Sequence, residues 1–279
     1  ERWYYLLDNG EMAADRWIQD PKSRKWYFLK AGGEMATSYW RQDKSGKWYY
    51  LRSNGEMVVS QMRQGRDGNN YYLGSDGAMA TRGEIRWDNI WYYVKRSGVC
   101  EKIQTIVTKK ILLGIGWKSK YLTDNMLLKL NAALCEYDIR TALSLRHFLA
   151  QCSVESGCGE VLVEKHSSKF PSPEEYFRSR DFKEYNNVPG SPAAENDGAK
   201  YRGAGYIQIT WKDAYYKFAK YIGDDDILNK GCSYVSNNYP WESAGWYWSK
   251  LKKINNKINE DPDFSVEEVT KIVNGGDTA

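Results

Sequence analysis

The sequence predicts a multidomain chain, with β-hairpin repeats stacked into a solenoid at the N-terminus and a mainly α-helical domain after them. Two observations carry this. An aromatic motif recurs at intervals of 23, 22, 22 and 21 residues, a period of stacked repeats rather than of one continuous core. From about Ile111 that period is lost, and apolar residues recur at helical spacing between capping residues and glycines. The boundaries read as repeats over residues 1–98, a junction over 99–112 and a helical domain over 113–279. The junction lacks a long Pro/Gly/Ser linker, so limited flexibility is expected.

The repeats align as WYYLLDNGEMA from Trp3, WYFLKAGGEMA from Trp26, WYYLRSNGEMV from Trp48 and NYYLGSDGAMA from Asn70, with a shorter WYYVKRSG from Trp91. Each copy reads as an aromatic strand, a turn such as Asn9-Gly10, Asn54-Gly55 or Asp76-Gly77, and a short strand carrying Met12, Met35, Met57 or Met79. Asn-Gly and Asp-Gly are favoured where both turn residues need positive φ. Strand alternation predicts one packed face and one free face. A unit this short cannot bury its own aromatic face, so neighbours must stack. Part of the aromatic content is therefore packing, and rings left in the grooves can cage a quaternary ammonium. Trp17 and Trp40 follow their repeat starts by 14 residues.

On these motif copies the segment resembles the choline-binding or cell-wall-binding repeats of Gram-positive bacteria and their phages. The resemblance implies one choline site from Trp17, Trp26 and Tyr50 and a second from Trp40, Trp48 and Tyr72. Beyond these the linking tryptophan is replaced by Met62 and Glu84, so no further site is expected. The implied partner is a bacterial cell-wall polymer, bearing choline or another teichoic-acid decoration, with pairing of repeats into a homodimer left open.

In the second half, Leu145, Phe148, Leu149 and Cys152 give one apolar helix face, with Thr141 as N-cap and Gly157 as stop. Ser265-Val-Glu-Glu268 is a capping box opening a helix with Val266, Val269 and Val273 on one side. Glu155 sits at the polar end of the first helix and Glu164 follows nine residues later. Glu160 is the rival second carboxylate. The glycine-rich segment Tyr201 to Trp211 places Gln208 and Thr210 on one face if extended, and Asn186 to Lys200 reads as a surface loop bordering the cleft.

These elements, Gln151-x-x-x-Glu155-Ser-Gly, Glu164, Tyr201-Arg-Gly-x-Gly-x-Ile-Gln208-x-Thr210 and Val273-Asn274-Gly-Gly, together resemble the family 19 chitinases and the phage endolysins built on their lysozyme-like fold. The resemblance implies Glu155 as general acid and Glu164 as general base. It also implies that Thr210 helps hold the attacking water, and that Tyr201, Gln208 and Asn274 contact substrate. Inverting hydrolysis needs a protonated carboxyl at the leaving oxygen and an ionised one across the ring, ~6.5–9.5 Å apart. Glu155 must then have a raised pKa, which burial behind Phe148 and Leu149 would supply. The chain departs from the family at Val154, where histidine is common, at Cys158, and at Ala204, where an arginine usually shapes the cleft. Family members generally continue past the Asn-Gly-Gly stretch, so a shortened domain is one reading.

Bulk properties narrow the class. The formal net charge is +4 with both signs interleaved, which argues against a nucleic-acid partner. No stretch approaches the ~20 apolar residues of a membrane span. Five cysteines and two histidines without ligand spacing predict no metal site, and the chemistry needs no cofactor. Cys152 and Cys158 are the one candidate pair, and unpaired thiols are the simpler reading. The chain begins at Glu1, compatible with removal of a secretion signal. The expected function is a secreted, or phage-encoded and lysis-released, glycosidase cutting β-1,4 bonds of peptidoglycan. The alternatives are a chitinase on the same fold and a non-catalytic wall adhesin.

Overall fold

The computed structural model describes residues 2–261 and 263–275, and the chain divides between Ile103 and Gln104 into two compact units. Unit 1 consists of antiparallel strand pairs: β1 (Arg16–Gln19) with β2 (Trp26–Leu29), β3 (Tyr39–Gln42) with β4 (Trp48–Leu51), and β5 (Gln61–Gln64) with β6 (Asn70–Leu73). A three-stranded sheet of β7 (Gly83–Trp87), β8 (Ile90–Val94) and β9 (Cys100–Lys102) follows. The hairpin repeats are present, but the strand partner differs from the one expected. Each aromatic strand pairs with the linking segment before it, Trp17 opposite Phe28 and Trp40 opposite Tyr50. The Asn-Gly turn leads only to single bridges, Leu6 to Met12 and Leu51 to Met57.

Turn geometry explains the difference. Gly10, Gly55 and Gly77 have positive φ while Asn9, Asn54 and Asp76 do not, so these are not the two-residue turns that join long hairpin strands. Instead the Asn54 side chain accepts the Glu56 N–H at 3.2 Å, and the Gly55 N–H donates to the Arg52 carbonyl at 3.0 Å. The chain then leaves the ladder and bonds the preceding repeat. Met35, Met57 and Met79 donate their N–H groups to the carbonyls of Trp3, Trp26 and Trp48 at 2.7, 2.8 and 2.7 Å.

Side chains repeat this link. A Cβ on Gly55 would lie 2.5 Å from the sulfur of Met35, and Gly77 stands in the same relation to Met57. The turn glycine therefore serves both a positive φ and the close approach of the neighbour's methionine. Burial along β2 and β4 does not alternate. Trp26 and Trp48 are exposed, Tyr27 and Tyr49 half-buried, and the last two residues of each strand buried. Distance along the strand from the inter-repeat seam overrides the two-faced pattern. Leu29, Leu51 and Leu73 lie at that seam, each buried leucine contributing about 1.5–3 kcal/mol.

Unit 2 is helical: α1 (Lys109–Gly114), α2 (Asp124–Glu136), α3 (Ala142–Glu155), α4 (Pro173–Phe177), α5 (Asp197–Lys200), α6 (Lys212–Ile222), α7 (Asp226–Lys230), α8 (Cys232–Asn238), α9 (Pro240–Trp246), α10 (Ile254–Glu260) and α11 (Val266–Val273). Thr141 caps α3 by accepting from the Ser144 N–H, and Gly157 just past its end has φ +56°. The buried face of α3 drives Phe148 between Trp241 and Trp248, with ring centroids 6.2 and 5.3 Å away. Helix α11 opens on the full Ser265–Glu268 capping box. Its buried face is Val269, Ile272 and Val273, while Val266, expected inside, lies exposed in the first turn.

All five cysteines are free. Among the described residues no helix is long and apolar enough to cross a membrane, and no group of three or more His, Cys, Asp or Glu side chains could hold a metal ion.

Candidate active cleft and aromatic grooves

The end of α3 delivers Glu155 to a cleft of about 930 Å³ that also contains Glu164, Gln208, Thr210 and Asn274. Glu155 is half-buried, and desolvation raises its pKa above the ordinary carboxylate value. The partial negative charge at the C-terminal end of α3 acts in the same direction. Tyr247 lines the cleft in a single π-helical turn, Tyr247–Leu251, and donates its hydroxyl to the Val273 carbonyl at 3.0 Å. That bond ties the end of α11, and with it Asn274, to the cleft wall. Burial, with the neighbouring Glu155 charge, pushes the Tyr247 phenol up to about 12.

Glu164 sits in the opposite environment. Arg180 donates two parallel hydrogen bonds to its oxygens, at 3.0 and 3.1 Å, and the Gly203 N–H donates to Oε2 at 3.0 Å. The backbone is fixed too, since the Glu164 N–H donates to the Gly203 carbonyl at 2.8 Å. A side chain at Gly203 would meet the Gln208 amide oxygen at 2.7 Å and the Glu164 Cβ at 3.3 Å, so the glycine lets the two chain segments close. Asp213, a third carboxylate of the cleft, pairs with Lys217 at 2.7 Å. Glu160 is absent from the lining residues and pairs with Lys118 at 3.1 Å.

Residues 201–211 are folded back, not extended. Ala204 bridges both Val163 and Ile209, and Gly205, Gln208 and Trp211 take positive φ. Gln208 and Thr210 still reach one cleft because residues 207–210 alternate buried and half-buried, leaving both side chains on the cleft side. The Gln208 amide donates to the carbonyls of Gly205 at 2.7 Å and Val161 at 3.3 Å, and the Thr210 hydroxyl donates to the Gln208 carbonyl at 2.9 Å. Tyr201, expected to contact substrate, does not reach the cleft. It is a core residue whose hydroxyl donates to the Leu228 carbonyl at 2.9 Å. The second glycine after Asn274, Gly276, lies outside the described residues.

Sequence reasoning missed Arg180, Tyr185, Trp211, Tyr247 and Lys252, all of which line the cleft. Trp211 closes the glycine-rich motif, and its ring lies 5.5 Å from that of Tyr185. Ala204, where the resemblance led to an arginine being expected, is fully buried, and the ion pair in the cleft comes from Arg180 to Glu164. The segment 186–200 runs over the surface between residues 187 and 196, as read, but both its ends are pinned inside, and none of it lines the cleft. Asn186 is buried and donates to the carbonyls of Arg180 at 2.7 Å and Asp181 at 3.2 Å, while accepting the Lys212 N–H at 3.0 Å. The buried Lys212–Asp197 pair, at 3.0 Å, holds the far end.

In unit 1, a groove of about 380 Å³ is lined by Trp40, Trp48, Tyr71 and Met79, with Arg66 and Asp67 at its rim. The third ring is thus Tyr71, not Tyr72, which contacts Trp87 instead at 6.2 Å. Trp17 likewise meets Tyr49 at 5.3 Å, while Tyr50 is 7% exposed and packs in the core. The cause is strand alternation. Tyr50 lies across from Trp40 within its own hairpin, so the next residue back faces the preceding repeat's tryptophan. Hairpin-tip aspartates hold these groove tyrosines, Asp43 accepting from the Tyr49 hydroxyl at 3.1 Å and Asp67 from Tyr71 at 2.6 Å.

Fold and site together define a modular protein in which aromatic-groove repeats are joined to a helical domain with paired carboxylates in a cleft. The cell wall binding repeat family matches residues 2–12, 40–57 and 67–79. A glycosyl hydrolase family 19 domain-containing protein of Haemophilus influenzae is 33% identical over 150 residues, covering 46% of this chain and 69% of that protein. The chain belongs to the family 19 domain-containing proteins. Among solved structures, choline binding protein F from Streptococcus pneumoniae is 36% identical over 36% of this chain and 35% of its own, with a TM-score of 0.29. The modular Cpl-1 endolysin complexed with a peptidoglycan analogue is 32% identical over 32% of this chain and 25% of its own, with a TM-score of 0.27. Both solved chains extend well beyond the part that matches.

Proposed function

We propose that this protein is a cell-wall lytic glycosidase that acts on peptidoglycan, at the cell wall after secretion or after release at lysis. The observation that carries the reading is the contrast between two carboxylates in one cleft: Glu155 is desolvated with a raised pKa, and Glu164 is held by a guanidinium and a backbone N–H. Such a split separates an acid from a base. Glu155 protonates the leaving glycosidic oxygen. Glu164 takes a proton from a water that attacks the anomeric carbon from the other face, with Thr210 helping to hold that water. The β-1,4 bond breaks with inversion. Gln208 and Asn274 contact the sugar, and Arg180 fixes the direction of the Glu164 carboxylate.

The repeats supply attachment. The groove at Trp40, Trp48 and Tyr71 suits a quaternary ammonium such as choline on a wall polymer, and the equivalent residues one repeat earlier, Trp17, Trp26 and Tyr49, with Trp17 and Tyr49 in ring contact, form the second proposed site. Two weak sites of this kind on one chain gain from avidity on a surface with many copies of the ligand.

The test is release of reducing ends from purified Gram-positive peptidoglycan by the protein and by Glu155→Gln. A loss of ~10²-fold or more in the variant, with wall binding intact, is expected. Wall binding by the unaltered protein without any release of reducing ends, from peptidoglycan or chitin, overturns the reading in favour of an adhesin.

A further inference from the structure

The charged groups of the cleft do not balance. Its lining holds four cations, Lys165, Arg180, Lys217 and Lys252, against the carboxylates of Glu155, Glu164 and Asp213. Arg180 is engaged by Glu164, and Lys217 by Asp213. Lys165 and Lys252 make no ion pair among the described residues. Both line the same cleft as the two glutamates. Lys165 directly follows Glu164, and the Lys252 ammonium lies 5.7 Å from the ring of Tyr247, the residue whose phenol feels the Glu155 charge.

A neutral N-acetylated glycan offers such lysines nothing to pair with. Two unpaired cations lining a concave site attract anions by focusing the local field, and a lysine on a flexible stem tolerates some variation in where the anion sits. We propose that Lys165 and Lys252 bind carboxylate groups carried by the side substituents of the glycan. The cleft is thereby selective for an anionic N-acetylated polymer over a neutral one of the same backbone. The proposal rests on the hydrolase reading and adds its specificity determinant.

The experiment uses the full chain and soluble, teichoic-acid-free glycan strands bearing peptide carboxylates, compared with the same strands after their carboxylates are amidated. Neutral chitin oligomers form a third arm, and kcat/KM is measured at low and high salt. The unaltered protein is expected to prefer the carboxylate strands about 3- to 30-fold, the range two partly exposed charge contacts provide. High salt shrinks that preference. The double variant Lys165→Gln/Lys252→Gln loses most of it, whereas Lys110→Gln on α1, outside the cleft, keeps it. Equal hydrolysis of native and amidated strands by the unaltered protein, or an undiminished preference in the double variant, overturns the proposal while leaving the hydrolase reading intact. Failure to hydrolyse any of the three substrates overturns the hydrolase reading itself, and the lysine proposal with it.

Discussion

Arg180 holds Glu164 by both carboxylate oxygens, Nη1 to Oε2 at 3.0 Å and Nη2 to Oε1 at 3.1 Å. The planar fork fixes the direction of the carboxylate as well as its charge, which a lysine cannot do. Arg180→Lys is therefore expected to lower kcat/KM by ~10²-fold, through misdirection of the base more than through loss of charge. Arg180→Gln should lose at least as much. Near-normal turnover by Arg180→Lys in a reducing-end assay would show that orientation is not what the pair contributes.

Glu155 couples the cleft to stability. Burial raises its folded-state pKa above the unfolded value. Stability from this group is then fully present below the ordinary carboxylate pKa and is lost as pH rises through the folded value. Glu155→Gln cannot ionise, so at neutral pH it is expected to unfold at a higher temperature than the unaltered protein. Thermal melts should show the gap closing toward about pH 4, near the unperturbed carboxylate value. A gap that widened on acidification would contradict the assigned cause.

How far the site was legible depended on whether chemistry and local spacing coincide. Glu155 could be read because a helical face points its end inward, and the α3 and α11 caps could be read from single residues. Arg180 could not, because its stretch has no period and its partner lies 16 residues away in sequence. The grooves show a subtler failure. The tryptophans were legible, but choosing Tyr50 and Tyr72 over Tyr49 and Tyr71 required knowing that each aromatic strand pairs backward with its linking segment. Asn-Gly suggested the wrong partner because only the glycine adopts positive φ.

The turn glycines separate conformational strain from packing. Gly68 has φ +81° and open space where a Cβ would stand, whereas a Cβ on Gly55, at φ +82°, would meet the Met35 sulfur at 2.5 Å. Gly68→Ala should cost ~1 kcal/mol, from backbone strain alone. Gly55→Ala adds an inter-repeat clash and should cost ~2–4 kcal/mol. Denaturant unfolding of the two variants checks the order, and equal losses would remove the methionine seam from the account.

The groove assignment predicts a split between adjacent tyrosines. Tyr71 lines the groove with Trp40 and Trp48, so Tyr71→Ala should weaken choline binding by about 0.5–2 kcal/mol, the worth of one ring against a quaternary ammonium. Tyr72→Phe, which leaves the ring against Trp87, should leave affinity unchanged. Calorimetric titration with choline distinguishes the two, and the reverse order would restore Tyr72 to the site.

Asn186 joins two segments that supply cleft residues, without entering the cleft itself. Its side chain bonds the backbone of Arg180, of Asp181 and of Lys212 at the start of α6, and it is fully buried. No aliphatic side chain can both donate to two carbonyls and accept an N–H, so Asn186→Leu leaves buried backbone groups unpaired at about 1–3 kcal/mol each. The α6 start also carries Asp213 and Lys217, so the loss should reach the cleft from two sides. The expected result is a lower unfolding temperature together with a fall in kcat measured well below that temperature. Asn186→Asp keeps the acceptor but loses both donated bonds, and should recover little of either. If Asn186→Leu lost stability but kept full kcat, Arg180 would be held in place by Glu164 and its aromatic neighbours alone, Phe177 at 4.7 Å and Trp211 at 5.6 Å.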